Sequence, residues 1–253
     1  MAAAEFDMGR VVRRTFTLLR ADLPTFAGLS VLLIGLPQVV AGIYQAIPPT
    51  RRDLHAEILN GLVLIVAKLL PLGIAALAEG AMAAGALKLL AGDRISLESC
   101  LGPVRPRLLR LIRLNVIANL LTGLAFVVFV VPGFMVMTRW SVSVPALMDS
   151  DRTAMDALSV SARFTQGCRW RIFAMGSAYV FGNFILELTL QGLGGGFSSA
   201  PGVGSAGLLA FGVLRPLVQM IVVPIGSVGV TSLYQELRGD RPSAASTVAA
   251  VFD

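Results

Sequence analysis

Four charged residues sit inside long apolar runs: Lys68, Arg139, Glu187 and Arg215. A lysine or arginine at the centre of a bilayer costs about 2.5–3.5 kcal/mol on insertion scales, so each needs an opposite charge, water or a path to the interface. Counting the rise per residue along the spans drawn below puts Arg139 roughly 9 Å and Glu187 roughly 8 Å beneath the outer surface, with Lys68 and Arg215 at roughly 12–15 Å. Asn183, Gln191 and Gln219 add polar groups at nearby depth, while Glu79 falls nearer the inner face. Two chemistries fit this set. A net-positive pocket opening outward would suit a phosphate or another anion. An Arg139–Glu187 pair would instead lock two helices together and bind nothing. Basic side chains reaching the interface without a partner are a third arrangement.

No other chemistry is visible. The chain has no pair of aspartates within an apolar run, and no HExxH, GxSxG or Walker pattern, so no catalytic residue is expected. With a single histidine, His55, two cysteines, Cys100 and Cys168, and no CxxC pair, it lacks the ligands for a zinc site. Neither a metal nor a cofactor is therefore expected. His55 reads as a solvated loop histidine. Both cysteines fall in segments assigned to the cytoplasm, where a structural disulfide is not expected.

The elements that must position these residues are membrane helices. The 253 residues are 55% hydrophobic and only 14% charged, against about 25% charged in soluble domains, and the mean hydropathy is +0.77. A crossing takes roughly 20 apolar residues. The fold class is all-α: a polytopic bundle of about six transmembrane helices with interfacial amphipathic helices, forming one membrane domain over residues 1–240. The expected spans are 23–47, 58–91, 108–131, 134–148, 171–192 and 207–234, and residues 241–253 form a disordered cytoplasmic tail. The second run is too long for one straight crossing and reads as one helix projecting into the cytoplasm. Ala76, Gly80 and Ala84 form a small-residue stripe along it, which lets another helix approach closely. Asn115 and Asn119 share a face of the third span and should look toward other helices.

Residues 5–20 read as an amphipathic surface helix, with Met8, Val12, Phe16 and Leu19 on its apolar side. Between the third and fourth spans, Pro132 and Gly133 favour a turn, because the residue before proline avoids the helical region and glycine tolerates positive φ. Asp149, Ser150 and Asp151 mark the start of a second surface helix. Trp140, Arg169, Trp170 and Arg171 are expected to anchor the chain at the interfaces.

Orientation follows from the arginines, which make up 19 of the 21 basic residues. Sixteen basic residues fall in segments 10–20, 88–113, 152–171 and 238–241, whereas the expected outer loops hold only Arg51 and Arg52. Cytoplasmic loops carry the excess of Lys and Arg, so both termini are placed in the cytoplasm of a bacterial inner membrane. The basic residues cluster at the ends of apolar runs, and nucleic acid is not an expected partner. The expected partners are the bilayer, and anionic lipid or another membrane protein.

The stretch 131–171 carries a Pro-Gly turn, Arg139-Trp140, Pro145-Ala146, an acidic turn and a Ser-containing helix ending on Trp170-Arg171; the chain later closes on Leu233-Tyr234-Gln235-Glu236-Leu237-Arg238. Over about residues 80–238 this order of motifs resembles the YciC-like membrane proteins and the membrane domain fused to some glycerophosphodiester phosphodiesterases. The resemblance implies a six-helix membrane domain and little about activity. The phosphodiesterase chemistry does not carry over, because the sole histidine is followed by Ala56 and Glu57 where an His-Arg-Gly motif would be required. The expected function is an accessory or scaffold protein in membrane or envelope homeostasis, with a transporter for an anionic or lipidic solute as the alternative, and an intramembrane enzyme behind both.

Overall fold

The computed structural model describes the backbone of residues 7–40, 54–199 and 204–239, and their side chains except at 54–71, 128, 130, 191, 193–199 and 204–213. The expected tail, the loop with Arg51 and Arg52, and the side chains of His55 and Lys68 lie outside the described residues. Every regular element among the described residues is a helix: α1 Met8–Ala21, α2 Leu23–Val40 with a π-helical turn at Val31–Gly35, α3 Leu54–Leu90, α4 Leu97–Leu101, α5 Leu108–Val128, α6 Val130–Arg139, α7 Ser143–Met148, α8 Ala154–Phe164, α9 Arg169–Ser199 and α10 Gly204–Gly239.

Among the described residues five helical stretches are long and apolar enough to cross a membrane: Leu23–Val40, Leu72–Leu90, Leu97–Val127, Arg169–Leu190 and Leu214–Gly239. Their outer surfaces expose large apolar side chains, including Val127 (84% exposed) and Phe181 (65%). Such faces are covered at low cost by lipid, not by water. The expected fourth span, 134–148, is replaced by two short helices, α6 and α7, joined by a turn at Trp140–Val142.

The break before α6 also differs from expectation. The chain leaves α5 at Phe129, whose φ of −158° and ψ of 146° are extended, and Pro132-Gly133 lies inside the first turn of α6. Proline explains the shift. Pro132 cannot donate to the carbonyl four residues back, and its ring would crowd it; that carbonyl belongs to Val128, the last residue of α5. At the third position of the new helix the missing N–H is one of the groups that has no intrahelical partner anyway. Gly133 has its own task, since a Cβ there would run into the Phe126 ring, across the hairpin. An edge-to-face stack then runs from Phe126 to Phe134 (5.1 Å) and from Phe134 to Phe173 (5.1 Å), with Trp170 against Phe173. It brings the α5–α6 corner level with the first turns of α9.

α1 docks along α10 instead of lying apart from the bundle. Asp7 caps it and Asp22 separates it from α2. Its buried face is Val11, Thr15, Leu18 and Leu19, rotated from the one expected, and Val12 and Phe16 stay 46% exposed. The rotation is set by Arg10 and Arg14, which reach the nearly buried Glu236 at 2.9 and 3.4 Å.

α8 begins at Thr153, not at Asp149–Asp151. Thr153 and Asp156 form a capping box. The Thr153 hydroxyl, and after it the Thr153 backbone N–H, hold the Asp156 carboxyl below the usual carboxylate range. That contribution is present at neutral pH and is lost as pH falls through the depressed value. The expected capping acids work elsewhere. Asp151 pairs with Arg110 and, at 3.9 Å, with Arg107. Asp149 accepts from the Tyr234 hydroxyl (3.0 Å) and the Arg238 guanidinium (2.8 Å), tying α7 to the end of α10.

Candidate functional site

α3 sets the site. Its stripe of Ala76, Gly80 and Ala84 is buried, and at Gly80 an added Cβ would lie 2.7 Å from Leu111 and 3.2 Å from Val104. α5 therefore crosses close against α3. One turn beyond Leu111, Asn115 meets Glu79, and its Nδ2 donates to Glu79 Oε2 at 3.3 Å. The other carboxylate oxygen makes no hydrogen bond among the described residues.

Glu79 and Asn115 stand on the wall of a cavity of about 680 Å³. This lies within the roughly 300–1,000 Å³ typical of small-molecule sites. Asn119 and Thr122 continue the α5 wall; Val12 and Phe16 come from α1, Trp140 and Ser141 from the α6–α7 turn, Gly176 and Tyr179 from α9, and Gly226 and Ser227 from α10. The walls are mostly apolar. Several of the hydroxyls are already used: Thr15 donates to the Val11 carbonyl, Thr138 to those of Phe134 and Met135, and Ser141 to that of Thr138. Tyr179 donates to the Val222 carbonyl at 3.2 Å, lying against Gly226, where a Cβ would collide with the phenol. Glu79, Asn115 and Asn119, with the hydroxyls of Thr122, Ser143 and Ser227, are the polar groups able to meet a guest. Among the described residues none lining the cavity is Lys, Arg or His.

The charged residues singled out in the sequence lie elsewhere. Glu187 is paired with Arg215, Nε to Oε2 at 3.1 Å, and accepts from Gln219 at 2.6 Å; Gln219 also lies 3.5 Å from Asn183. This cluster joins α9 to α10. Arg139 is not part of it. Its carbonyl accepts from Ser161 (2.9 Å) and Thr165 (3.4 Å), just ahead of the start of α9 at Arg169. Glu187 is eighteen residues further along α9, or about 27 Å at the α-helical rise. The Arg139 side chain is exposed and has no hydrogen-bond or ion-pair partner among the described residues. Lys68 lies within α3, its side chain outside the described residues. Of the expected anchors, Trp170 is 82% exposed, Arg171 is exposed and Arg169 is half-buried, whereas Trp140 lines the cavity. A structural disulfide is absent, as both cysteines are free, and the described residues hold no group of three potential metal ligands.

Two signals could have found the cavity: Glu79 beside the small-residue stripe, and the paired asparagines of α5. No family model, curated protein or solved structure matches this chain.

Proposed function

We propose that this protein is a non-enzymatic integral protein of the bacterial inner membrane that holds a lipidic molecule in its cavity, as a lipid-handling accessory in envelope homeostasis. The observation that carries the reading is the cavity of about 680 Å³, apolar over most of its wall and polar at Glu79, Asn115 and Asn119. Such a lining suits a guest with an apolar body and one polar end. An anionic solute is disfavoured, because the one charged residue on the wall among the described residues is an acid.

In the proposed topology α2, α3, α9 and α10 cross the bilayer. The α5–α6 hairpin stays on the cytoplasmic side, in place of the two further crossings suggested by the sequence; its support is the stack from Phe126 through Phe134 to Phe173, which sets its corner beside the first turns of α9. The number of crossings stays even, and the arginine bias keeps both termini in the cytoplasm. A place among the YciC-like membrane domains belongs to the same proposal, supported by the order of motifs in 131–171 and the closing Leu233–Arg238.

Gly176→Leu tests the reading. A Cβ at Gly176 meets nothing within 4 Å, so leucine can grow into the cavity, and replacing glycine within a helix favours the helix by about 1 kcal/mol. Native mass spectrometry of protein released from lipid nanodiscs should show a lipid-sized adduct on the wild type and its loss in Gly176→Leu, with no fall in melting temperature. A wild type without an adduct, or an adduct that survives the substitution, defeats the proposal.

A further inference from the structure

A carboxylate inside a bilayer needs a partner. Among the described residues Glu79 has one amide, Asn115, and no positive side chain shares its cavity. Of the residues that α1, α3, α5, α6, α7, α9 and α10 contribute to the wall, the titratable ones are Glu79 and Tyr179, and the phenol is occupied with the Val222 carbonyl. Arg10 and Arg14 of α1 are engaged with Glu236, and Lys88 at the end of α3 donates to the Ser99 carbonyl; Arg13 and Arg20 of α1, Arg139 of α6, and Arg169 and Arg171 of α9 are not on the wall. The described part of α2 carries no charge, and Glu98 of α4, like Arg110 and Arg113 of α5, is not on the wall. Three aromatic side chains, Phe16, Trp140 and Tyr179, line the cavity with the acid, and aromatic faces, those of Trp and Tyr more than Phe, attract a desolvated cation.

We infer that the cavity takes a monovalent lipophilic cation, a quaternary ammonium or protonated amine on an apolar body, with Glu79 as its counter-ion and Trp140 and Tyr179 as its aromatic walls. This rests on the cavity being a ligand site and adds the charge of the ligand. In this proposal a proton on Glu79 keeps the empty site neutral. A bound cation takes the proton's place, so the proton leaves as the cation arrives and the site stays neutral.

The experiment uses the full chain in phosphatidylcholine nanodiscs, with tetraphenylphosphonium as the cationic probe and triphenylphosphine oxide as a neutral one. Binding is followed by isothermal titration in two buffers of different ionisation heat, which counts protons. The wild type should bind tetraphenylphosphonium at one site and release about one proton, with affinity rising about tenfold per pH unit while the carboxyl is protonated. Glu79→Gln should weaken the cation by about 30-fold or more and abolish proton release, yet bind the neutral probe as before and melt no lower than wild type. If Glu79→Gln binds the cation like wild type, or only the neutral probe binds, the cation is refuted while the cavity reading stands. If neither probe binds either protein, both fall.

Discussion

Asp149→Ala is expected to lower the melting temperature in detergent by about 6–12 °C, the equivalent of about 3 kcal/mol in a chain of this size. The substitution removes the acceptor of two groups at once. Tyr234, 1% exposed, would keep a buried hydroxyl proton without an acceptor, since its other neighbour, Arg152, can only donate, at a cost of about 1–3 kcal/mol. Arg238 would lose its carboxylate, but it is half exposed and is rehydrated, so that loss is about 1 kcal/mol at most. Asp149→Asn keeps an acceptor for Tyr234 and should cost about 1 kcal/mol, leaving most of the loss attributable to the stranded hydroxyl. Thermal unfolding followed by circular dichroism separates the two variants. Equal losses would mean that Asp149 acts only through its charge.

Gly80→Leu should destabilise the bundle to a comparable degree and empty the site as well. Overpacking a filled interior costs about 1–3 kcal/mol, and the two neighbours a new side chain would strike, Leu111 and Val104, are fully buried with little room to yield. The relief available is for α5 to move away from α3. That motion separates Asn115 from Glu79, one residue from the substitution. The lipid adduct seen by native mass spectrometry should therefore disappear together with about 5 °C or more of thermal stability. Stability lost with the adduct retained would show that the α3–α5 contact is structural only.

What could be read from the sequence was whatever lipid enforces. Long apolar runs, the single helix over Leu54–Leu90 and the small-residue stripe follow from bilayer thickness and close packing, and all three are present in the fold. Asn115 does look inward, as a polar side chain in lipid must. What failed was pairing. Rise per residue gives height in a membrane but not azimuth, so Glu187 could be given a depth but not its neighbour, which is Arg215 and not Arg139. The height of Arg139 was itself displaced, because Pro132 ends α5 four residues ahead of itself and the turn after Arg139 delivers the chain to the start of α9. Glu79 was passed over as lying near the inner face; α5 and the α6–α7 turn close over it, and nothing local to residue 79 announces that cover. Trp140 read as an interfacial anchor for the same reason, since a tryptophan beside an arginine looks alike on a lipid boundary and on a cavity wall.

The most direct measurement is an experimental structure of the protein grown from a lipidic mesophase without competing detergent. Elongated density between Thr122 and Ser227, with its polar end within hydrogen-bonding distance of Glu79 or Asn115, is the expected result. A cavity closed by the Trp140 and Tyr179 side chains, with Glu79 bonded to protein groups alone, would contradict it.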